Sequence, residues 1–291
     1  MTGTHKEEAS YGGLAVDCEQ MNPASPFDSV AIDYDTTFTD TRLGREKRRA
    51  VHRFLEGIPV DGRRVLELNC GTGGDALFLA LRGAHVLATD LSDRMIEIAR
   101  AKARERAPSR SIAFRRLSLE DLADDGVRAE LGRFDLVLSN FDGLNCLEDP
   151  SILCRALDDL LDKKGSAVLV YMPPVSMVEI IGNLARGRFR KAFARLRRNG
   201  TDVHIGRGVT MRTRFHTVST IARALPPGLR LRRVRAIGLF LPPTSMQEIY
   251  ERAQGFLDAM ERLSAPLRGL PPFNRMGDHV LLHIQRNGTQ P

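Results

Sequence analysis

Long apolar runs are missing from this sequence. None approaches the ~18 residues that a membrane-spanning helix requires, which excludes a transmembrane reading. A secretory leader is not expected either, because MTGTHKEEAS has no basic stretch followed by an apolar one. Cysteine is scarce, and Cys18, Cys70, Cys146 and Cys154 show no CxxC spacing. That argues against a zinc knuckle, a redox pair and a disulfide scaffold, and makes a reducing cytoplasm the expected compartment. Acidic residues are thin in one half of the chain. Residues 174–291 hold 20 Lys and Arg against 7 Asp and Glu, a net of +13, whereas residues 1–173 hold 23 against 29, a net of −6. The asymmetry points either to an anionic partner of the second half or to a solvated basic surface. What is present is an ordinary globular balance, 42% apolar and 27% charged over 291 residues. It is enough for a large buried core and too apolar for a mainly disordered chain.

The apolar pattern divides the chain. Residues 1–26 are polar and are expected to be a flexible tail or lid. Residues 27–60 are expected to form a helical cap, marked by Ala50, Val51, Phe54 and Leu55 and closed by Gly57 and Pro59. Short apolar strands then alternate with helices. Strands are predicted at Arg64–Leu68, His85–Thr89, Ile112–Leu117, Phe134–Leu138 and Ala167–Tyr171, and helices at Asp75–Leu81, Arg94–Arg104 and Ile152–Leu161. This is the signature of parallel βαβ units in an α/β, doubly wound sheet over residues 61–174. Regularity breaks at 174. Residues 175–230 are an insertion, with Ser176–Arg198 helical, His204–Phe215 extended and Val218–Leu225 helical. Residues 231–291 supply a strand at Leu231–Leu239, a long helix at Ser245–Leu263 and a closing strand at His279–Gln285.

The most informative segment is Glu67–Gly73 (ELNCGTG), which joins the first strand to its helix. Its glycines let a ligand approach the backbone, and the helix start offers free N–H groups. Asp90 follows at the end of the second strand, placed to accept hydrogen bonds from both hydroxyls of a ribose. Together they predict an adenosine-containing ligand. Gly71–Ala76 also satisfies the loose GxGxxG/A pattern of dinucleotide sites, so NAD(P) is one reading. Glu67 opposes it, because a carboxylate there would repel a pyrophosphate, whereas a ligand carrying an ammonium group tolerates it.

These residues resemble the class I S-adenosylmethionine-dependent methyltransferases. ELNCGTG is similar to the family's first motif, with Asn69 where the pattern has its first glycine; asparagine tolerates positive φ better than most residues. Thr89–Met95 (TDLSDRM) is similar to the second motif, which makes Asp90 the ribose acid, with Leu91 beside it and Met95 lining the adenine side. Ser118–Leu122 (SLEDL) resembles the segment after the third strand, where Ser118 stands in for the usual acid and the Leu119 N–H would meet the adenine. Ser139–Asn145 (SNFDGLN) corresponds to the fourth motif, where cofactor and substrate meet. Phe27–Asp35 (FDSVAIDYD), followed by Thr41 and Gly44–Arg45, resembles the entry segment of small-molecule methyltransferases. Leu239–Pro243 and Asp278–Leu282 look like later segments of that group. The resemblance implies a seven-stranded, mostly parallel sheet in a single domain over 27–291, with the insertion acting as a substrate lid. It implies S-adenosylmethionine as cofactor, held by Tyr34, Glu67, Asn69, Gly71, Gly73, Asp90, Leu91, Met95, Ser118, Leu119, Asn140 and Phe141. Asn145 and Arg45 are the implied substrate contacts, and no metal is implied.

Methyl transfer to N or O of a small metabolite, in specialised biosynthesis, is the expected reaction. Aligning the nucleophile is the enzyme's main task, with a base where the nucleophile must lose a proton. His216, Asp142 and Tyr171 are the catalytic candidates, with His204 behind them. His279 and His283 are assigned to structure, and Cys70, Cys146 and Cys154 to neutral packing. Arg186–Arg198 carries seven basic residues and no acid, with Phe189, Ala192, Phe193 and Leu196 at helical spacing. It reads as a basic amphipathic helix, either a solvated face or a lid for an anionic or carrier-bound substrate. An RNA methyltransferase using the basic half and a methyltransferase fold that binds without turnover remain the other readings.

Overall fold

The computed structural model describes residues 25–108 and 110–287. Nine strands are present among them: β1 Arg64–Leu68, β2 His85–Asp90, β3 Ile112–Arg116, β4 Phe134–Ser139, β5 Leu161–Tyr171, β6 Thr201–Gly206, β7 Val209–Thr213, β8 Leu229–Ile237 and β9 His279–Arg286. Seven of them form one sheet in the order β3-β2-β1-β4-β5-β9-β8, parallel through β5, with β9 and β8 antiparallel to their neighbours. The seven-stranded α/β sheet is as expected. Its central strands are apolar without alternation because helices cover both faces. Helices α1 Arg42–Leu55 and α2 Gly74–Ala80 bury Val51, Leu55, Ala76 and Leu79 on one face. On that side, α3 Asp93–Arg106 packs beside β2 and β3. Helix α4 Asp125–Leu131, the short turn α5 Gly143–Cys146 and α6 Ser151–Leu160 cover the other face, where Leu144, Leu153 and Leu157 are buried. Strand order reverses between β1 and β4, and a ligand crevice belongs outside the carboxyl ends of the strands at such a switch.

Four expectations are corrected. The cap is one helix only from Arg42; before it the chain makes short turns at Pro26–Ser29, Ala31–Asp33 and Asp35–Thr39. Thr41 caps α1 by accepting from the Gly44 N–H, so the helix cannot start earlier. The basic segment Arg186–Arg198 is not one amphipathic helix. After α7 Met177–Leu184 the chain turns at Gly187, with φ of 67°, and forms only α8 Phe189–Ala192 and a further turn at Ala194–Leu196. Its polarity is also reversed at one position. Arg195 is buried against Asp278 and Glu179 at 2.8 and 2.6 Å, while Phe189, Phe193 and Leu196 face solvent. Two strong ion pairs outweigh the helical pattern there. The long helix at 245–263 is split into α10 Gln247–Arg252 and α11 Gln254–Leu263. The strand at 204–215 is a separate hairpin, β6 and β7, followed by α9 Val218–Ala224, and it packs on the cap through Ile205, Val30 and Met95. Only residues 25 and 26 of the expected 1–26 tail lie within the described residues. Among the described residues no helix is long and apolar enough to cross a membrane.

Candidate active site

The glycine turn after β1 is held in left-handed backbone by Asn69, Gly71 and Gly73, with φ of 50°, 53° and 79°. Asn69 does more than tolerate that conformation. Its amide nitrogen donates to the Asn140 carbonyl and its oxygen accepts from the Ser139 hydroxyl, both at 2.7 Å, latching the end of β1 to the end of β4. Asn69→Ala is therefore expected to cost about 2–3 kcal/mol in thermal or denaturant unfolding, while Asn69→Gly, free of the φ penalty, costs about 1 kcal/mol less. A Cβ on Gly73 would come within 2.8 Å of the Ala99 Cβ, so this glycine lets α3 pack against the turn. A Cβ on Gly71 would meet nothing nearer than the Tyr34 ring at 3.9 Å, which marks a cradle between turn and ring.

Carboxylates surround this cradle in unequal states. Asp90, 9% exposed, accepts from the Gly71 N–H at 2.8 Å and the Ser92 N–H at 2.9 Å, one bond to each oxygen. Burial still leaves its pKa above the usual range, those two N–H groups notwithstanding. Asp75 is also buried, yet Arg48 at 2.5 Å, His52 at 2.6 Å and the Asn140 amide at 2.8 Å hold it well below that range. Glu67 is 1% exposed, and its Oε2 has no hydrogen-bond partner among the described residues. Burial first and Asp75 second push its pKa far up. A buried carboxyl with one oxygen unpartnered, next to two further acids, suits a cationic ligand group and opposes a pyrophosphate.

The cap is fastened onto this turn. Asp35 accepts from the Thr72 hydroxyl at 2.6 Å and pairs with Lys102, and Asp28 accepts from the Ser92 hydroxyl at 2.5 Å. Tyr34 is thereby set over Gly71, and aromatic contacts lead from it to Phe38, from Phe38 to Phe141 and from Phe141 to His279. Burial raises the Tyr34 pKa, so the ring keeps its hydroxyl proton.

Beyond β4 the backbone is strained. Phe141 and Asp142 adopt φ of 54° and 72°, two consecutive non-glycine residues in left-handed geometry. Gly143 follows because a Cβ there would fall 2.2 Å from the Asn69 side-chain oxygen. The strained turn sets the Asp142 carboxylate 3.1 Å from Nε2 of His279. Nδ1 of the same ring lies 3.1 Å from Asp278, whose carboxylate also holds Lys47 at 2.5 Å and Arg195 at 2.8 Å. Both ring nitrogens sit off the line of a good hydrogen bond. Burial lowers the His279 pKa, but Asp142 and Asp278 outweigh it and hold it above the ordinary histidine value. His279, assigned to structure from the sequence, is placed against Asp142, one of the catalytic candidates. The topology explains why. β9 runs antiparallel to β5, so its first residue returns to the sheet edge where β1 and β4 end. An Asp-His pair opening a strand was the available signal, and Arg48 gave none.

Other expected site residues are placed elsewhere. Asn145, an implied substrate contact, is fully buried with its amide committed to the backbone of Met172 and Arg214 at 2.6–2.9 Å. It fastens the turn after β4 to the end of β5. Arg45 is exposed and its guanidinium donates to the Asp40 carbonyl; Arg48, one turn on, is the α1 arginine at the crevice. Tyr171 is buried in the core on the α6 face, with its hydroxyl unpartnered among the described residues. Tyr171→Phe is expected to leave turnover unchanged and the melting temperature unchanged or raised by up to ~2 °C, since it removes an unsatisfied polar group. His216 is 9% exposed; burial lowers its pKa, and Nε2 lies 3.3 Å from the Leu147 carbonyl, a packed histidine. Met95 is buried against Val30 and Ala31 of the cap. Ser118 forms a reciprocal pair with Asp121, its N–H donating at 2.8 Å, and Leu119 is buried beside it, while Leu91 is 39% exposed. Burial pushes the thiol of Cys146 up to about 12, and those of Cys70 and Cys154 up as well, so all three pack as neutral thiols.

A doubly wound sheet with a glycine cradle, a ribose-type acid and a buried carboxyl oxygen without a partner at its switch point has the architecture of a nucleoside-cofactor site. The comparisons agree. A sequence family described as methyltransferase domain matches residues 65–165. The chain is 34% identical over 157 residues to a demethylmenaquinone methyltransferase of Clavibacter sepedonicus, covering 52% of this chain and 59% of that protein. It is 36% identical over 135 residues to a magnesium-protoporphyrin O-methyltransferase of Rhodobacter capsulatus, covering 46% and 55%. It thus spans little more than half the length of these curated relatives. A solved magnesium protoporphyrin IX methyltransferase of Synechocystis with bound SAH superposes with a TM-score of 0.56 at 19% identity, over 90% of this chain and 96% of that one. A methyltransferase of Streptomyces caelestis gives 0.59 at 17%, over 91% and 99%. Residues 65–165 thus match a methyltransferase domain, and the chain shares its fold with solved S-adenosylmethionine-dependent methyltransferases. S-adenosylmethionine fits the residues present: Asp90 retains a lone pair on each oxygen, where ribose hydroxyls would bind, Glu67 has a free oxygen that would accept from the amino group, and Gly71 leaves room below Tyr34.

Proposed function

We propose that the protein transfers the methyl group of S-adenosylmethionine to an oxygen of a small metabolite. The observation that carries this is the Asp142–His279 pair, 3.1 Å apart on a strained turn at the crevice. When bound, the cofactor supplies an activated methyl on a cationic sulfur, so the chain's own residues need only position the acceptor and handle its proton. A hydroxyl acceptor must lose that proton, and neutral His279 would take it at Nε2, with Asp142 orienting the acceptor and stabilising the imidazolium. Asp278 would hold the opposite face of the ring. Tyr34, Phe38 and Phe141 keep water from the reacting centre. The nearby cations Arg48, Lys47 and Arg195 are each paired with a carboxylate, which supports a neutral acceptor over an anionic one. Several relatives are named O-methyltransferases, which agrees. Burial of Arg195 weakens the RNA reading of the basic segment.

The test is transfer of labelled methyl from S-adenosylmethionine into the low-molecular-mass fraction of a cell extract. Expected is a labelled small molecule whose methyl behaves as an ether or ester on hydrolysis. Label confined to RNA, or to an amine, would overturn the reading, as would retained S-adenosylhomocysteine binding with no transfer at all.

A further inference from the structure

The far end of α1 carries a second concave site that the methyl-transfer reading does not use. A groove of about 750 Å³ runs between the last turns of α1 and the edge strand β8. That volume lies within the ~300–1,000 Å³ usual for small-ligand sites. One wall is apolar, from Ala50, Phe54, Ile58 and Pro59. The other is cationic, from Arg232, Arg233 and Arg235, with Arg53 and Arg268 at the margins.

The register explains this concentration of charge. β8 pairs with β9 so that Arg233 stands opposite His283 and Arg235 opposite Leu281, with the register shifting between Leu231 and Arg233. Opposed residues of an antiparallel pair share a face, so both arginines lie on the α1 side of the sheet. Among the described residues the guanidinium groups of Arg53, Arg233 and Arg235 make no ion pair or hydrogen bond. Arg268 is held by Glu261 and Ser264, and Arg232 by the Gln285 amide. The Glu261 charge acts on both Arg268 and Arg53, while Arg235 and Arg53 oppose Arg268. His283 closes the floor. It is 9% exposed, neither ring nitrogen has a partner among the described residues, and its ring meets Phe54 edge to face at 5.4 Å. Burial first, then Arg233 and Arg232, push its pKa down to about 4. Like charges without ion pairs, gathered over a buried imidazole whose nitrogens have no partner, repel one another and the protonated ring. A multiply charged anion relieves both.

We propose that this groove binds the diphosphate of a small phosphorylated ligand, the guanidinium groups of Arg53, Arg233 and Arg235 taking the phosphates and the Phe54–Pro59 wall taking the body. Bidentate arginine contacts suit phosphate oxygens, and an apolar wall suits a nucleobase or a short hydrocarbon chain. Adenosine diphosphate and geranyl diphosphate share the head group and differ in body, so together they identify the source.

The experiment is calorimetric titration of the full chain, saturated with S-adenosylhomocysteine, with inorganic pyrophosphate, adenosine diphosphate and geranyl diphosphate. The expected result is saturable 1:1 binding, tighter for one of the two esters than for pyrophosphate. The double variant Arg233→Glu, Arg235→Glu should weaken it by at least about tenfold. Both arginines are exposed on an edge strand, and undiminished S-adenosylhomocysteine affinity in the double variant confirms that it is folded. Ligand binding should also move the titration of the His283 ring protons, followed by NMR, upward from about 4. Three results would overturn the proposal: no saturable binding of any of the three, equal binding to the double variant, or binding of RNA oligonucleotides alone. None of them depends on methyl transfer, so failure here leaves the reading of the catalytic crevice untouched.

Discussion

Asp90→Ala is expected to weaken S-adenosylhomocysteine binding by about a hundredfold or more in calorimetric titration. The wild-type carboxylate organises the site before any ligand arrives, because it ties the Gly71 and Ser92 N–H groups at 2.8 and 2.9 Å. Removing it frees two buried N–H groups and deletes the acceptor for the ribose hydroxyls. Hydrogen bonds to a charged group are worth about 1.5–3 kcal/mol each, so losing two corresponds to a hundredfold or more. Asp90→Asn tests the division of roles. It retains one acceptor oxygen and replaces the other by a donor facing a backbone N–H, so its loss should approach that of alanine. Unchanged binding in either variant would remove Asp90 from the cofactor site.

His279→Gln is expected to lower kcat by roughly 10²- to 10⁴-fold, with cofactor affinity and substrate KM nearly unchanged, as for loss of a general base. The pH dependence separates a base from a packing residue. His279 faces Asp142 from the turn after β4 and Asp278 from the residue just before β9. Behind Asp278 stand Lys47 of α1 and Arg195, and behind Arg195 stands Glu179 of α7. The two facing carboxylates hold its pKa above the ordinary value, so kcat should rise with pH through that raised pKa. Asp142→Asn removes one negative charge, lowers the pKa and shifts the rising limb toward acid while reducing kcat. The stability sign is opposite. A raised histidine pKa contributes stability that is full below about 6.5 and is lost as pH rises through the folded value, so His279→Gln destabilises most at low pH. A pH profile that does not move in Asp142→Asn would exclude this pair as the proton acceptor.

Local chemistry was enough for the parallel half of the sheet and its glycine turn. The ELNCGTG turn, Asp90 and the alternation of strands and helices over residues 61–174 are short-range patterns. Hydrophobic runs of strand length, glycines at positive φ and a helix start all lie within a few residues of one another. Glu67 was legible as an acid that disfavours pyrophosphate, and the structure adds that its Oε2 is buried and unpartnered. The single-helix reading of Arg186–Arg198 failed because periodicity cannot foresee that Arg195 finds Asp278 and Glu179 across the fold.

What the sequence determined by itself is the α/β sheet, its glycine turn and the acid that serves it, because each is written in contiguous residues whose backbone geometry follows from their own chemistry. What only the tertiary structure decided is which residue stands opposite Asp142. β9 reverses direction against β5 and carries His279 back to the switch point, while α1 brings Arg48 and Lys47 in from the far end of the chain. Neither meeting leaves a periodic trace, since contacts across a sheet edge are set by strand order and direction, which no local pattern encodes.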